Sequence, residues 1–100
     1  MPKIYNYLGI VILFHSREHK PIHVHGRHSG HETKAEFIIE NGEIIEIKIK
    51  KIRGKIPLKK TEMDDFVKFV NEYGNQIVQK WIDYFVLNKV VKLEEITENL

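Results

Sequence analysis

The stretch KAEFIIENGEIIEIKIK, residues 34–50, decides the fold. Ala35, Phe37 and Ile39 share one parity, and Ile45, Ile47 and Ile49 share it on the return limb. Successive side chains of a strand point to opposite faces, so this alternation predicts two half-buried strands. Asn41-Gly42 between them marks a hairpin. A two-residue Asn41-Gly42 turn would pair Phe37 with Glu46 and Ile38 with Ile45, setting apolar residues against charges. A three-residue Glu40-Asn41-Gly42 loop, with Gly42 left-handed, pairs Phe37 with Ile45 and Ala35 with Ile47. One step of register turns every side chain to the other face, so the three-residue loop is the expected connection. The alternation breaks at Lys50-Lys51, where a bulge or the end of the strand is expected.

Working outward, residues 4–15 (IYNYLGIVILFH) are aromatic and β-branched, with a turn expected at Gly9. The run Ile10 to Phe14 is apolar on both parities, so both of its faces need cover. That need points to a docked partner, on this strand or on a final one, unless the helical segment and the hairpin cover it internally. Residues 16–22 hold Pro21 and read as a loop, and His23 to Arg27 as a short strand. After Pro57, Thr61-Glu62-Met63-Asp64 reads as a helix start, with the Thr61 hydroxyl as cap and acidic residues at the positive end of the dipole. Met63, Phe66, Val67, Val70, Tyr73, Ile77, Val78, Trp81, Ile82 and Phe85 follow helical spacing and read as core. Gly74-Asn75 is expected to stop or kink the helix, Asn75 recapping a second segment. Residues 88–96 suggest a last edge strand, with a frayed tail beyond Ile96. The expected fold is therefore α+β: an antiparallel sheet of four to six strands packed against a C-terminal helical segment.

The 100 residues are expected to form a single domain, 1–100, able to bury roughly two-thirds of its unfolded surface. A composition 42% hydrophobic and 30% charged is that of a globular protein rather than a disordered one. Without cysteine there can be no disulfide, thiolate nucleophile or cysteine zinc site. The longest apolar run, Leu8 to Phe14, is too short to span a bilayer and lacks a cleavage site, so a cytoplasmic location and no membrane partner are expected. The net charge of +2 hides a segregation. Lys48, Lys50, Lys51, Arg53, Lys55, Lys59 and Lys60 form a basic stretch free of acidic residues, whereas Glu32 to Glu46 holds five glutamates against Lys34 alone. Two electrostatic faces are expected, one open to a polyanion.

All six histidines fall in HSREHKPIHVHGRHSGH, residues 15–31. His15 reads as a strand-end residue bonded to backbone, and His28 and His31 as solvated turn residues. His23 and His25, two apart on a strand, share a face, expected to be exposed and to lie beside Arg17 or Arg27. With His19 they would make a three-nitrogen metal site, although only Glu18 and Glu32 lie near to orient such ligands. Alternatively, two imidazoles of near-neutral pKa divide base and acid duties in cleaving RNA, which carries its own nucleophile, the 2′-hydroxyl. His19, His23 and His25 with Arg17 and Arg27 are then the catalytic candidates. The Lys48–Lys60 stretch would hold phosphates. A third reading has protonated imidazoles and arginines simply docking an acidic partner.

Glu18, His19, Pro21, His23 and His25 in EHKPIHVHG, the opening KIYNYLGIVILFHS and the closing WIDYF together resemble the small prokaryotic domain-of-unknown-function family 4160. Glu18 stands where that family usually has aspartate, and Ile22 where it has a second proline. The resemblance covers residues 1–86, leaving 87–100 as final strand and tail. It implies the toxin of a type II toxin–antitoxin module, because similar proteins are often encoded beside a second small domain. Combined with the histidine cluster, the expectation is a metal-independent ribonuclease or an RNA-binding inhibitor of translation, needing no cofactor. The partners expected are a cognate small antitoxin and RNA, with a homo-oligomer as a further option. The alternative is a non-catalytic module whose histidine loop binds a metal or an anionic partner, and a third class is an adaptor that only docks its neighbour.

Overall fold

A computed structural model describes residues 2–15 and 21–100. The strands are β1 (Lys3–Tyr7), β2 (Ile10–Leu13), β3 (Ile22–His28), β4 (His31–Glu40), β5 (Glu43–Lys51) and β6 (Glu94–Ile96). They form one sheet in the order β5-β4-β3-β2-β1-β6. All neighbours are antiparallel except β6, which runs parallel to β1 after the long helical connection. The α+β architecture expected from the sequence is the one observed.

The β4–β5 hairpin departs from the expected loop in an instructive way. Asn41 (φ 53°) and Gly42 (φ 79°) form a two-residue turn that pairs Glu40 with Glu43 and Ile39 with Ile44. Left-handed conformation at both central residues suits the twist of the flanking strands, which is why Asn-Gly prefers this turn. The register then shifts between Ile38 and Ile39, leaving Ile45 as an extra residue, and Phe37 meets Ile47 and Ala35 meets Ile49. The turn obeys local chemistry, and the bulge supplies the single step that matches apolar to apolar. Ile44 and Ile47 consequently pack against the core, whereas Ile45 is exposed.

Against one face of the sheet lie α1 (Lys60–Glu72), α2 (Gly74–Trp81) and a π-helical turn over Ile82–Val86. Phe66, Phe69 and Val70 of α1 and Ile77 of α2 are fully buried on Ile4, Tyr5, Tyr7, Ile10, Ile12, Phe14, Val24, Ala35 and Phe37. Gly26 lets this layer come close: a Cβ there would lie 2.5 Å from the Phe66 ring. The helix begins two residues earlier than Thr61 suggests, with Lys59 at the N-cap and no side-chain cap. The break falls at Tyr73, and Asn75 does not recap the second helix, whose N-cap is Tyr73. β2 lies inside the sheet with Ile10, Ile12 and Leu13 buried, as is Phe14 just after it, so it is not an open docking strand. The last strand is shorter than 88–96, and the tail beyond it docks: Tyr73 Oη–H donates to Glu98 (2.9 Å), and the Leu100 amide to Tyr7 Oη (3.3 Å). Among the described residues, no helix is long and apolar enough to cross a membrane.

Candidate functional site

The face of the sheet away from the helices carries the histidines. The strand period of two gives β3 an alternation in which His23, His25 and Arg27 face one way and Val24 and Gly26 the other. Pairing sets His23 beside Glu36, His25 beside Lys34 and Arg27 beside Glu32. His15 follows β2 and stacks on His25, with ring centroids 4.9 Å apart and planes 12° apart. The His23 and His25 rings are 5.6 Å apart. His15, His23, His25, Glu32, Lys34, Glu36, Arg53 and Lys55 line one open pocket of about 390 Å³.

At its base Glu32 is only 2% exposed and must be paired to be ionised there. His25 Nδ1–H donates to Glu32 Oε2 at 2.6 Å, and Arg27 Nε donates to Oε1 at 3.1 Å, with Lys55 Nζ 3.9 Å from the same oxygen. Burial pushes the Glu32 carboxyl up, but the hydrogen bonds from His25 and Arg27 and the Arg27 charge outweigh it and leave its pKa below the usual range. His25 is also buried, at 6% exposed. Burial pulls its pKa down, and the nearby His15 and His23 add to that, against the pull of Glu32 in the other direction. Arg27 and Lys55 already share the Glu32 charge, so its pull on His25 does not offset burial and the pKa stays lowered. The result is a neutral imidazole whose Nδ1 is held by a carboxylate and whose Nε2 is left as the basic nitrogen. His23 is held likewise: its Nδ1 donates to the Pro21 carbonyl at 3.1 Å, which leaves Nε2 unprotonated when the ring is neutral.

The placements differ from the sequence expectations in several respects. His23 and His25 do share a face near Arg27, but His25 is buried rather than exposed, and Arg27 is spent on Glu32. His19 and Arg17 lie outside the described residues. No set of three or more histidines or carboxylates among the described residues is arranged to hold a metal ion. His31 is tied by Nδ1 to the Pro57 carbonyl (2.9 Å), and with His28, Lys59 and Lys60 it lines a separate hollow at the start of α1. The basic stretch is therefore divided in space. Arg53 and Lys55 border the histidine pocket, and Lys48 and Lys50 follow it along β5. Lys51 shares the opposite face, because it pairs with Thr33. Nor do the acidic and basic segments form two faces: Glu36 accepts from Lys50 (3.2 Å) and lies 3.5 Å from Lys34. Burial pushes the Glu36 carboxyl up, but those lysines win and lower it.

Sequence reasoning missed His15, Lys34 and Glu36 as members of this group, and it placed Glu32 near the histidines without identifying His25 as its partner. Glu32 is seven residues from His25 along the chain, a separation that does not by itself pair them. The tight His28–His31 turn brings the two together, and that hairpin was the available signal.

Residues 9–82 match the model of a family described as a domain of unknown function, DUF4160, and the chain belongs to that family. No curated protein matches the chain, and neither does any solved structure.

Proposed function

We propose that this DUF4160 protein is the toxin of a two-gene toxin–antitoxin module, and that it cleaves RNA at the histidine pocket without a metal. The observation that carries the chemistry is the 2.6 Å pair of His25 Nδ1–H with buried Glu32. A carboxylate so placed fixes the tautomer and makes His25 Nε2 the base. His25 takes the proton of the 2′-hydroxyl, and that oxygen bonds to the adjacent phosphorus. The bond from phosphorus to the 5′-oxygen breaks, and the leaving oxygen takes a proton from His23 in its imidazolium form. The products are a 2′,3′-cyclic phosphate and a 5′-hydroxyl. Arg53, Lys34 and Lys55, around the same pocket, stabilise the charge that builds on the phosphorane. The toxin role rests on the resemblance to proteins encoded beside a small partner.

Cleavage of bulk cellular RNA, measured across pH with and without chelator, tests the chemistry. His25→Ala and His23→Ala are each expected to slow it by about a hundredfold or more, with a bell-shaped pH profile in the wild type. Growth arrest on expression alone, relieved by co-expression of the neighbouring gene product, tests the role. A wild type that binds RNA without cleaving it would reduce the histidines to anion-docking residues, and loss of cleavage with chelator would move them to a metal site.

A further inference from the structure

β5 is an outer edge of the sheet, nine residues long, and its free side is a template for another strand. Its sequence, EIIEIKIKK, carries glutamates at one end and lysines at the other. We propose that β5 pairs antiparallel with β5 of a second copy, about a two-fold axis at Ile47.

That axis sets Ile47 opposite the partner's Ile47 and Glu46 opposite the partner's Lys48. Past the bulge, the extra residue Ile45 shifts the register by one, so Ile44 meets the partner's Ile49 and Glu43 the partner's Lys50. Each pair also matches in face. Ile44, Ile47 and Ile49 lie on the helix side, and Glu43, Glu46, Lys48 and Lys50 on the histidine side, following their β4 partners. The neighbouring centres fail on charge: an axis at Glu46 or Lys48 sets that residue against itself, and one at Ile49 sets Lys48 against Lys50. Opposite charges facing across a strand pair stabilise it and like charges destabilise it. Glu43, Glu46, Lys48 and Ile49 are all exposed in the single chain. On the helix side a groove of about 640 Å³ runs along the edge, bordered by Ile45, Ile47, Asn71, Glu72 and Asn75. It has room for the partner's Ile49, and Glu72 offers a carboxylate to the partner's Lys51. The axis of such a pair is normal to the sheet, so both histidine pockets open on the same side, with Lys48 and Lys50 of both copies between them.

Sedimentation equilibrium over a concentration series tests this, with circular dichroism confirming that each variant is folded. The wild type is expected to dimerise in the micromolar range. E46K and K48E are each expected to weaken the dimer by about tenfold or more, because each sets like charges against one another at two symmetry-related contacts. An equimolar mixture of E46K and K48E is expected to recover the wild-type association, since every mixed contact again sets a lysine against a glutamate. A wild type monomeric throughout that range, single variants that associate as well as the wild type, or a mixture that does not recover would each overturn the proposal.

Discussion

Strands β3 and β4 present two faces that are almost equally dry at their centres and are filled on different principles. On the helix side Val24, Ala35 and Phe37 are at most 1% exposed, and on the other side Glu32 and His25 are 2% and 6% exposed. The first face is held by close packing of interchangeable apolar volume, with Gly26 clearing space for Phe66. The second is held by pairing, because a buried carboxylate or imidazole without a partner is costly. Burial therefore does not distinguish core from site here. What distinguishes them is whether shape or specific atoms dictate the residue.

The largest effects are expected on the apolar side. Phe66→Ala empties the space above Gly26 and is expected to cost about 3–5 kcal/mol in chemical denaturation, the usual range for a buried phenylalanine. A loss below 1 kcal/mol would mean that the helix layer does not rest on β3 as described. Gly26→Ala tests the same contact from the opposite direction. With the added methyl 2.5 Å from the Phe66 ring, either ring or strand must move, and a loss of about 1–3 kcal/mol is expected. The double variant Gly26→Ala, Phe66→Ala should lose less than the sum, because the clash disappears with the ring.

The polar face is sharpened by pH. His25 has a depressed pKa in the fold, so the stability contributed by its neutral form is fully present above the unfolded value of 6.5. It is lost as pH falls through the lower folded value. Glu32 and Glu36 are also depressed, and their contribution, present above 4.5, is lost at more acid pH still. Urea midpoints against pH should therefore fall in two stages on acidification, and His25→Gln should delete the upper one. A single stage in the wild type would mean that His25 does not stay neutral. The smallest expected effect lies outside both faces, at Gly42→Ala, where a φ of 79° strains any side chain by about 1–2 kcal/mol.

Legibility in the sequence followed the range of the interaction. The hairpin strands and their core parity at Ala35 and Phe37 were readable, as was the apolar stripe of Phe66, Val70 and Ile77, because strand and helix periods are local. The loop type was not legible, because the preference of Asn41-Gly42 for a two-residue turn and the apolar match are incompatible in a regular ladder. A bulge at Ile45 satisfies both. The tail was expected to be free, yet Tyr7 and Tyr73 hold it by contacts that no local pattern announces.

By itself, then, the sequence determined that His23 and His25 share one face and Val24 and Gly26 the other, since the alternation belongs to any extended chain. Only the tertiary structure decided what those imidazoles meet. Glu32 reaches His25 through the register of β3 and β4, His15 arrives by the pairing of β2 with β3, and Lys55 comes from the segment beyond β5. Register depends on turns, bulges and the packing of both faces together, so the charge state of His25 is a property of the assembled sheet and not of the segment that carries it.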